Sequence, residues 1–166
     1  MPNTYTLIQS VTVGSGGAAS IQFGSIPQTY TDLVLLCSLD QSSSSVIADI
    51  QFNGLSTNLS SRLLLGNGST ASSTSASALR SYGTNPSDFT ASIFSNMTIY
   101  IPNYSGSTNK SVSIDAVAEN NGTAGFCSFT AGLWSASDPI TQIALFVNGG
   151  NVVQHSSISL YGIKNS

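Results

Sequence analysis

Val46-Ile47-Ala48-Asp49-Ile50-Gln51-Phe52-Asn53-Gly54 decides the fold class. Val46, Ala48, Ile50 and Phe52 recur every second residue, the period of a strand with one face buried. Asn53-Gly54 then supplies a tight turn, because both residue types accept the positive φ that such turns demand. The same logic predicts strands at Tyr5–Val13, Ser20–Phe23, Asp32–Leu39, Ser60–Leu65, Ile93–Ile101, Ser111–Ala118, Gly125–Trp134, Ile140–Val147 and Ser157–Ile163. Turn chemistry separates them at Gly14-Ser15-Gly16-Gly17, Ile26-Pro27, Asn67-Gly68, Pro102-Asn103, Asn121-Gly122, Asp138-Pro139 and Asn148-Gly149-Gly150. No segment sustains a helical period. One short turn of helix, over Gln28 to Asp32, fits before the next strand.

About ten short strands in 166 residues predict an all-β protein. The expected architecture is a single-domain antiparallel β-sandwich, jelly-roll-like, over residues 1–166, since short strands and long connections favour it over a closed barrel. A chain of this length buries roughly 70% of its unfolded surface, enough for one good core. Residues 1–4 read as an N-terminal arm, and Gln41–Ser45 as an exposed hairpin tip. The longest connection, 66–90, holds a Ser-rich run from Ser69 to Ser77 and is expected to be a long loop, a feature usually tied to function.

Charged residues make up only 7% of the chain, against roughly 25% in an ordinary soluble domain. Hydrophobic residues reach 40%, so the chain is not disordered in composition; Ser, Thr, Asn and Gly stand where charges usually do. A surface of that kind repels its neighbours weakly, which points to a structural or binding protein working in an assembly. The net charge is −3, and Arg62, Arg80, Lys110 and Lys164 are scattered, so no basic patch is available for phosphates and no nucleic-acid partner is expected. Met1-Pro2-Asn3-Thr4 does not begin a signal peptide, and the longest apolar run, Leu33–Cys37, is too short to span a bilayer. The expectation is a protein made in the cytoplasm with no membrane contact. Asn-X-Ser/Thr sequons at Asn58, Asn67, Asn96, Asn103, Asn109 and Asn121 follow from composition and carry no weight without a secretory signal.

Catalytic chemistry finds little to build on. His155 is the single histidine and no Gly-X-Ser-X-Gly elbow accompanies it, so a solvated or sheet-edge role is expected. Asp115 and Glu119 share one strand face but stand about 13 Å apart, beyond the spacing of a glycosidase pair. With Asn120 and Asn121 they do not form a calcium loop, and one His with two distant Cys does not make a zinc site. No cofactor, metal or enzymatic activity is expected. Cys37 and Cys127, both in strand-like runs, read as two buried free thiols, the alternative being a disulfide between sheets. Trp134 and Tyr161 read as core, and Tyr104, in the turn Pro102-Asn103-Tyr104-Ser105-Gly106-Ser107, as the exposed aromatic.

A series of motifs runs along nearly the whole chain, from Tyr5 to Ile163. It opens with Thr4-Tyr5-Thr6-Leu7-Ile8 and Ser25-Ile26-Pro27-Gln28-Thr29-Tyr30-Thr31-Asp32-Leu33. Ile50-Gln51-Phe52-Asn53-Gly54, Ile99-Tyr100-Ile101-Pro102-Asn103-Tyr104, Gly132-Leu133-Trp134 and Leu160-Tyr161-Gly162-Ile163 follow. In this order they resemble small virion proteins of tailed phages, notably phages of marine and freshwater bacteria and cyanobacteria. The resemblance implies a β-sandwich virion component, and the motifs are of strands and turns, so no catalytic residue comes with them. The leading expectation is a capsid decoration (cement) protein, a homotrimer on the outside of the virion shell that bridges subunits of the major capsid protein. Pro2, Asn3, Thr4, Ser72, Ser73, Asn103, Tyr104 and Asn109 are the expected contacts with partners. The alternative is a tail-fibre, receptor-binding or glycan-binding module using exposed aromatics and the Ser-rich loop.

Overall fold

Two-residue periodicity governs the whole chain: in the computed structural model, which describes residues 4–45, 47–90, 92–120 and 125–164, every element is a strand. In chain order they are β1 Tyr5–Thr12, β2 Ser20–Phe23, β3 Asp32–Leu39, β4 Ile47–Phe52, β5 Leu59–Gly66 and β6 Ala71–Ala76. They continue as β7 Leu79–Tyr82, β8 Ser95–Ile101, β9 Lys110–Glu119, β10 Gly125–Trp134, β11 Ile143–Val147 and β12 Ser157–Ile163. One sheet has eight strands in the order β1-β12-β3-β8-β9-β10-β5-β6; the other has four, β2-β11-β4-β7. The expected single-domain antiparallel sandwich is what forms.

The pairing is nested. β1 pairs with β12, β2 with β11, β3 with β8 and β4 with β7, alternating between the two sheets. That is the pattern of one long antiparallel ribbon rolled on itself, a jelly roll. Two hairpins are inserted into it, β5–β6 after β4 and β9–β10 after β8. Both extend the larger sheet, because β9 pairs with β8 and β10 with β5. The insertions give that sheet twice the width of the sheet that covers it.

Several expectations need correction. The presumed loop over 66–90 contains β6 and β7. Ala71-Ser72-Ser73-Thr74-Ser75-Ala76 has no apolar alternation, and no burial pattern forms one, since five of its six residues are exposed; backbone pairing with β5 makes it a strand. Asn67-Gly68 turns that hairpin: Asn67 Oδ1 accepts the backbone N–H groups of Ser69 and Thr70, and Gly68 takes φ 85°. Gln28–Asp32 forms no helix; the Gln28 side chain instead donates to the carbonyls of Ile26 and Ile140. Gln41, placed in an exposed tip, is buried, with its amide donating to Thr84 Oγ1 and the Ser45 carbonyl. Val46 and the Asn121-Gly122 turn lie outside the described residues.

The core lies between the sheets. Ala48, Ile50 and Phe52 of β4 and Ile143 and Leu145 of β11 face Leu33, Leu35 and Leu39 of β3, Met97 and Ile99 of β8, and Ile114 of β9. Trp134 is fully buried, as its sequence position suggested, with its ring centroid 5.5 Å from that of Phe52. Gly162 sits where a side chain would not fit, since a Cβ there would lie 2.3 Å from the Tyr30 ring.

Three buried hydroxyls join the sheets. β7 is an edge of the smaller sheet, and an unpaired edge carbonyl held away from water is costly. Ser61 Oγ donates to the Ala78 carbonyl at 2.8 Å, Thr130 Oγ1 to Arg80 at 3.0 Å and Ser128 Oγ to Tyr82 at 2.9 Å. The donors come from β5 and β10 of the larger sheet.

Both cysteines belong to the larger sheet and are free. Cys37 is in register with Met97, Ala116 and Ser128 across β8, β9 and β10, so Cys127, one residue from Ser128, points to the opposite face. Geometry therefore leaves no inter-sheet disulfide. Only Cys37 is buried, and burial pushes its thiol far above the ordinary range; Cys127 is exposed, against the expectation of two buried thiols.

Two outcomes follow. Thr130→Val keeps the side-chain volume but leaves the Arg80 carbonyl unpaired, so unfolding free energy in urea should fall by about 1–3 kcal/mol, against no change if the seam were incidental. At micromolar concentration a thiol reagent should titrate one cysteine per native chain and two after denaturation; none in either state would mean a disulfide.

Candidate binding surface

One face of the eight-stranded sheet packs on the smaller sheet, and among the described residues no element covers the other. Register defines that outer face as rows running across the strands. One row crosses the full width: Ser10, Ser159, Leu36, Thr98, Asp115, Phe129, Leu64 and Ser73. A neighbouring row is Thr12, Ser157, Ser38, Asn96, Val117, Cys127, Gly66 and Ala71. On the other side run Leu7, Tyr161, Val34, Tyr100, Ser113, Ala131, Arg62 and Ser75.

The face is chemically divided. Its β1-β12-β3-β8 half carries more hydroxyls, Ser10, Ser38, Thr98, Ser157 and Ser159, set among exposed Leu7 and Leu36 and half-buried Tyr161; none of these is charged. Its β9-β10-β5 half is apolar, with Leu64 61% exposed, Val117 51% and Phe129 46%. Leu64, Val117, Cys127 and Phe129 line a shallow hollow of about 430 Å³. Arg62, Asp115 and Glu119 are the charges on this half, and among the described residues neither Arg62 nor Asp115 is paired with an opposite charge.

The expected partner contacts fall in two places. Thr4 is exposed beside the end of β12, where its carbonyl accepts the Lys164 N–H. Asn103 is exposed at the same end of the sheet, with φ 49°, and Asn109 is exposed just before β9. The turn bearing Asn103 is anchored through buried Asp32, whose carboxylate accepts the Asn103 N–H and the Tyr100 hydroxyl, each at 2.9 Å. Ser72 and Ser73 lie far from this cluster, exposed on β6 at the opposite edge of the sheet. Pro2 and Asn3 lie outside the described residues.

Tyr104 is a correction. It is 0% exposed, its hydroxyl donating to the Pro27 carbonyl and its own carbonyl accepting the Ile140 N–H. The turn folds inward because the apolar ring gains more by filling the sandwich end than by meeting water. Tyr104 is therefore closed to any partner. Tyr161, placed in the core by sequence, is instead half-buried on the outer face. Lys110 is fully buried beneath the same turn: its ammonium donates to the Thr108 and Asp138 carbonyls and lies 5.7 Å from the Trp134 ring centroid. Desolvation lowers its pKa.

His155 is exposed with φ 73°, and the neighbouring Ser156 hydroxyl is buried and held by the backbone of Asp40. Asp115 and Glu119 point outward from β9, as their spacing required. Among the described residues no three His, Cys, Asp or Glu gather as a metal site.

The outward apolar residues of β5 and β10 were not recognised as a surface. The signal was present: Leu63-Leu64-Leu65 is apolar on both strand faces, and Ser128 and Thr130 alternate with Phe129 and Ala131. Apolar-in alternation assigns Phe129 to the core. The seam to β7 takes the hydroxyls inward instead.

Burial, and then the bond to Asp32, raise the pKa of the Tyr100 hydroxyl. The folded state thus holds this proton more tightly than the unfolded chain does, and stability should fall as pH rises through and beyond about 10. Tyr100→Phe should be less stable at pH 8 by about 1 kcal/mol but lose less between pH 9 and 11 in urea unfolding. Equal slopes for the two proteins would refute the assignment. No protein-family profile matches this chain, and neither a curated protein nor a solved structure matches it.

Proposed function

We propose that this chain is a phage virion structural protein, a decoration protein that binds the outside of the capsid shell and bridges subunits of the major capsid protein. The observation that carries the reading is the end of the larger sheet that bears Thr4, Asn103 and Asn109, continuous with an outer half-face whose rows carry many hydroxyls, with Leu7 and Leu36 among them, and no charge. Such a surface binds through shape and many hydrogen bonds. Each contact is weak, and repetition over a symmetric shell supplies the avidity. Bridging stabilises the shell because separating two capsid subunits must also break their contacts with the decoration.

The motif resemblance and the rolled topology support the same reading, although a fold alone hosts many functions. The tail-module alternative depended on aromatics stacking against sugars, and the burial of Tyr104 and Trp134 removes two of them.

Two measurements test the proposal. Quantitative mass spectrometry of purified virions should find hundreds of copies per particle, whereas a handful would exclude decoration. Attachment should persist near 1 M salt, where screening shortens to about 3 Å and an interface of exposed ion pairs would weaken. Release at moderate salt would contradict an uncharged interface.

A further inference from the structure

We infer that the apolar half of the outer face, on β9, β10 and β5, is an isologous interface between two copies of this chain. This goes beyond capsid decoration and does not rest on it. The first argument is area. With the flanking strands β8 and β6 as its polar rim, the patch is five strands wide and about eight residues long, roughly 24 by 26 Å, so two copies cover about 1,200 Å², the lower bound of a specific interface. Its composition, with Phe129, Leu64 and an Arg near the centre, is that of an interface core.

The second argument is charge. Asp115 lies on β9 and Arg62 on β5, with β10 between them, and they are offset by two residues along the strands. That puts their backbones about 12 Å apart within one chain, and neither is paired there with an opposite charge. A two-fold axis in the contact plane that bisects the Arg62–Asp115 line, and so crosses β10 at about 35°, exchanges the two positions between the copies. Each Arg62 then faces the partner's Asp115, and the contact is made twice, as an isologous interface requires. Sheets packed face to face stand about 10 Å apart, which accommodates Phe129 and Leu64 from both copies interleaved. The proposed assembly is a dimer, where the decoration reading of the sequence expects a homotrimer.

Sedimentation equilibrium of the full chain at about 100 μM should give twice the 17.1 kDa chain mass. A monomer or a trimer would overturn the proposal. Arg62→Asp and Asp115→Arg should each weaken self-association at least tenfold, and the double variant should restore it. Phe129→Ser, at an exposed position, should give a folded monomer, with folding verified by its melting curve. Variants that leave the association unchanged would also overturn it. Cys127, which lines the same hollow, should react more slowly with a thiol reagent as protein concentration rises; a concentration-independent rate would count against the interface. None of these readouts involves a capsid, so they fail or succeed separately from the decoration reading.

Discussion

The seam of hydroxyls from Ser61, Thr130 and Ser128 to the carbonyls of Ala78, Arg80 and Tyr82 is the constraint on which the two-sheet arrangement depends. Rolling a ribbon into a sandwich leaves strand edges, and a buried edge carbonyl without a donor costs about 1–3 kcal/mol. β7 is such an edge, and the donors come from the facing sheet. The solution fixes which side of β5 and β10 points inward. Once Ser128 and Thr130 face the core, Phe129 and Ala131 must face out, because strand neighbours point to opposite faces. The apolar outer surface is thus a consequence of how the inner one is satisfied.

The same economy governs the few charges. Arg80 and Asp49 pair across β7 and β4 at 2.8 Å, and the bond raises the Arg80 pKa. Asp32 receives a tyrosine and a backbone N–H, and Lys110 caps two carbonyls under Trp134. Asp40 accepts from the Gln41 N–H and the Asn85 amide. These charges serve as internal fittings, and the charges left on the outer sheet face are Arg62, Asp115 and Glu119.

The inserted hairpins explain why an open face exists. The nested pairs would make two sheets of four strands that cover each other. Adding β5–β6 and β9–β10 to one sheet alone leaves strands that β7 reaches only in part, and β6 lies beyond cover on both faces.

How far the fold could be read from the residues varied by element. β4 and β9 alternate with apolar residues inward, so the sequence determined their existence, their faces and the sandwich class. β6 was illegible because a Ser/Thr strand exposed on both faces carries no hydrophobic period. Tyr104 was misplaced because turn chemistry fixes the backbone locally, while the Pro27 carbonyl that receives its hydroxyl is 77 residues away in the chain. Thr4, Asn103 and Asn109 are expected contacts on sequence grounds, but that Thr4 and Asn103 share one end of the sheet follows from the β12–β3 pairing and the Asp32 anchor. Local pattern specifies strands and turns because side-chain direction alternates residue by residue. Which hydroxyl meets which carbonyl, and hence which face is left bare, depends on long-range register, and only the folded chain sets that.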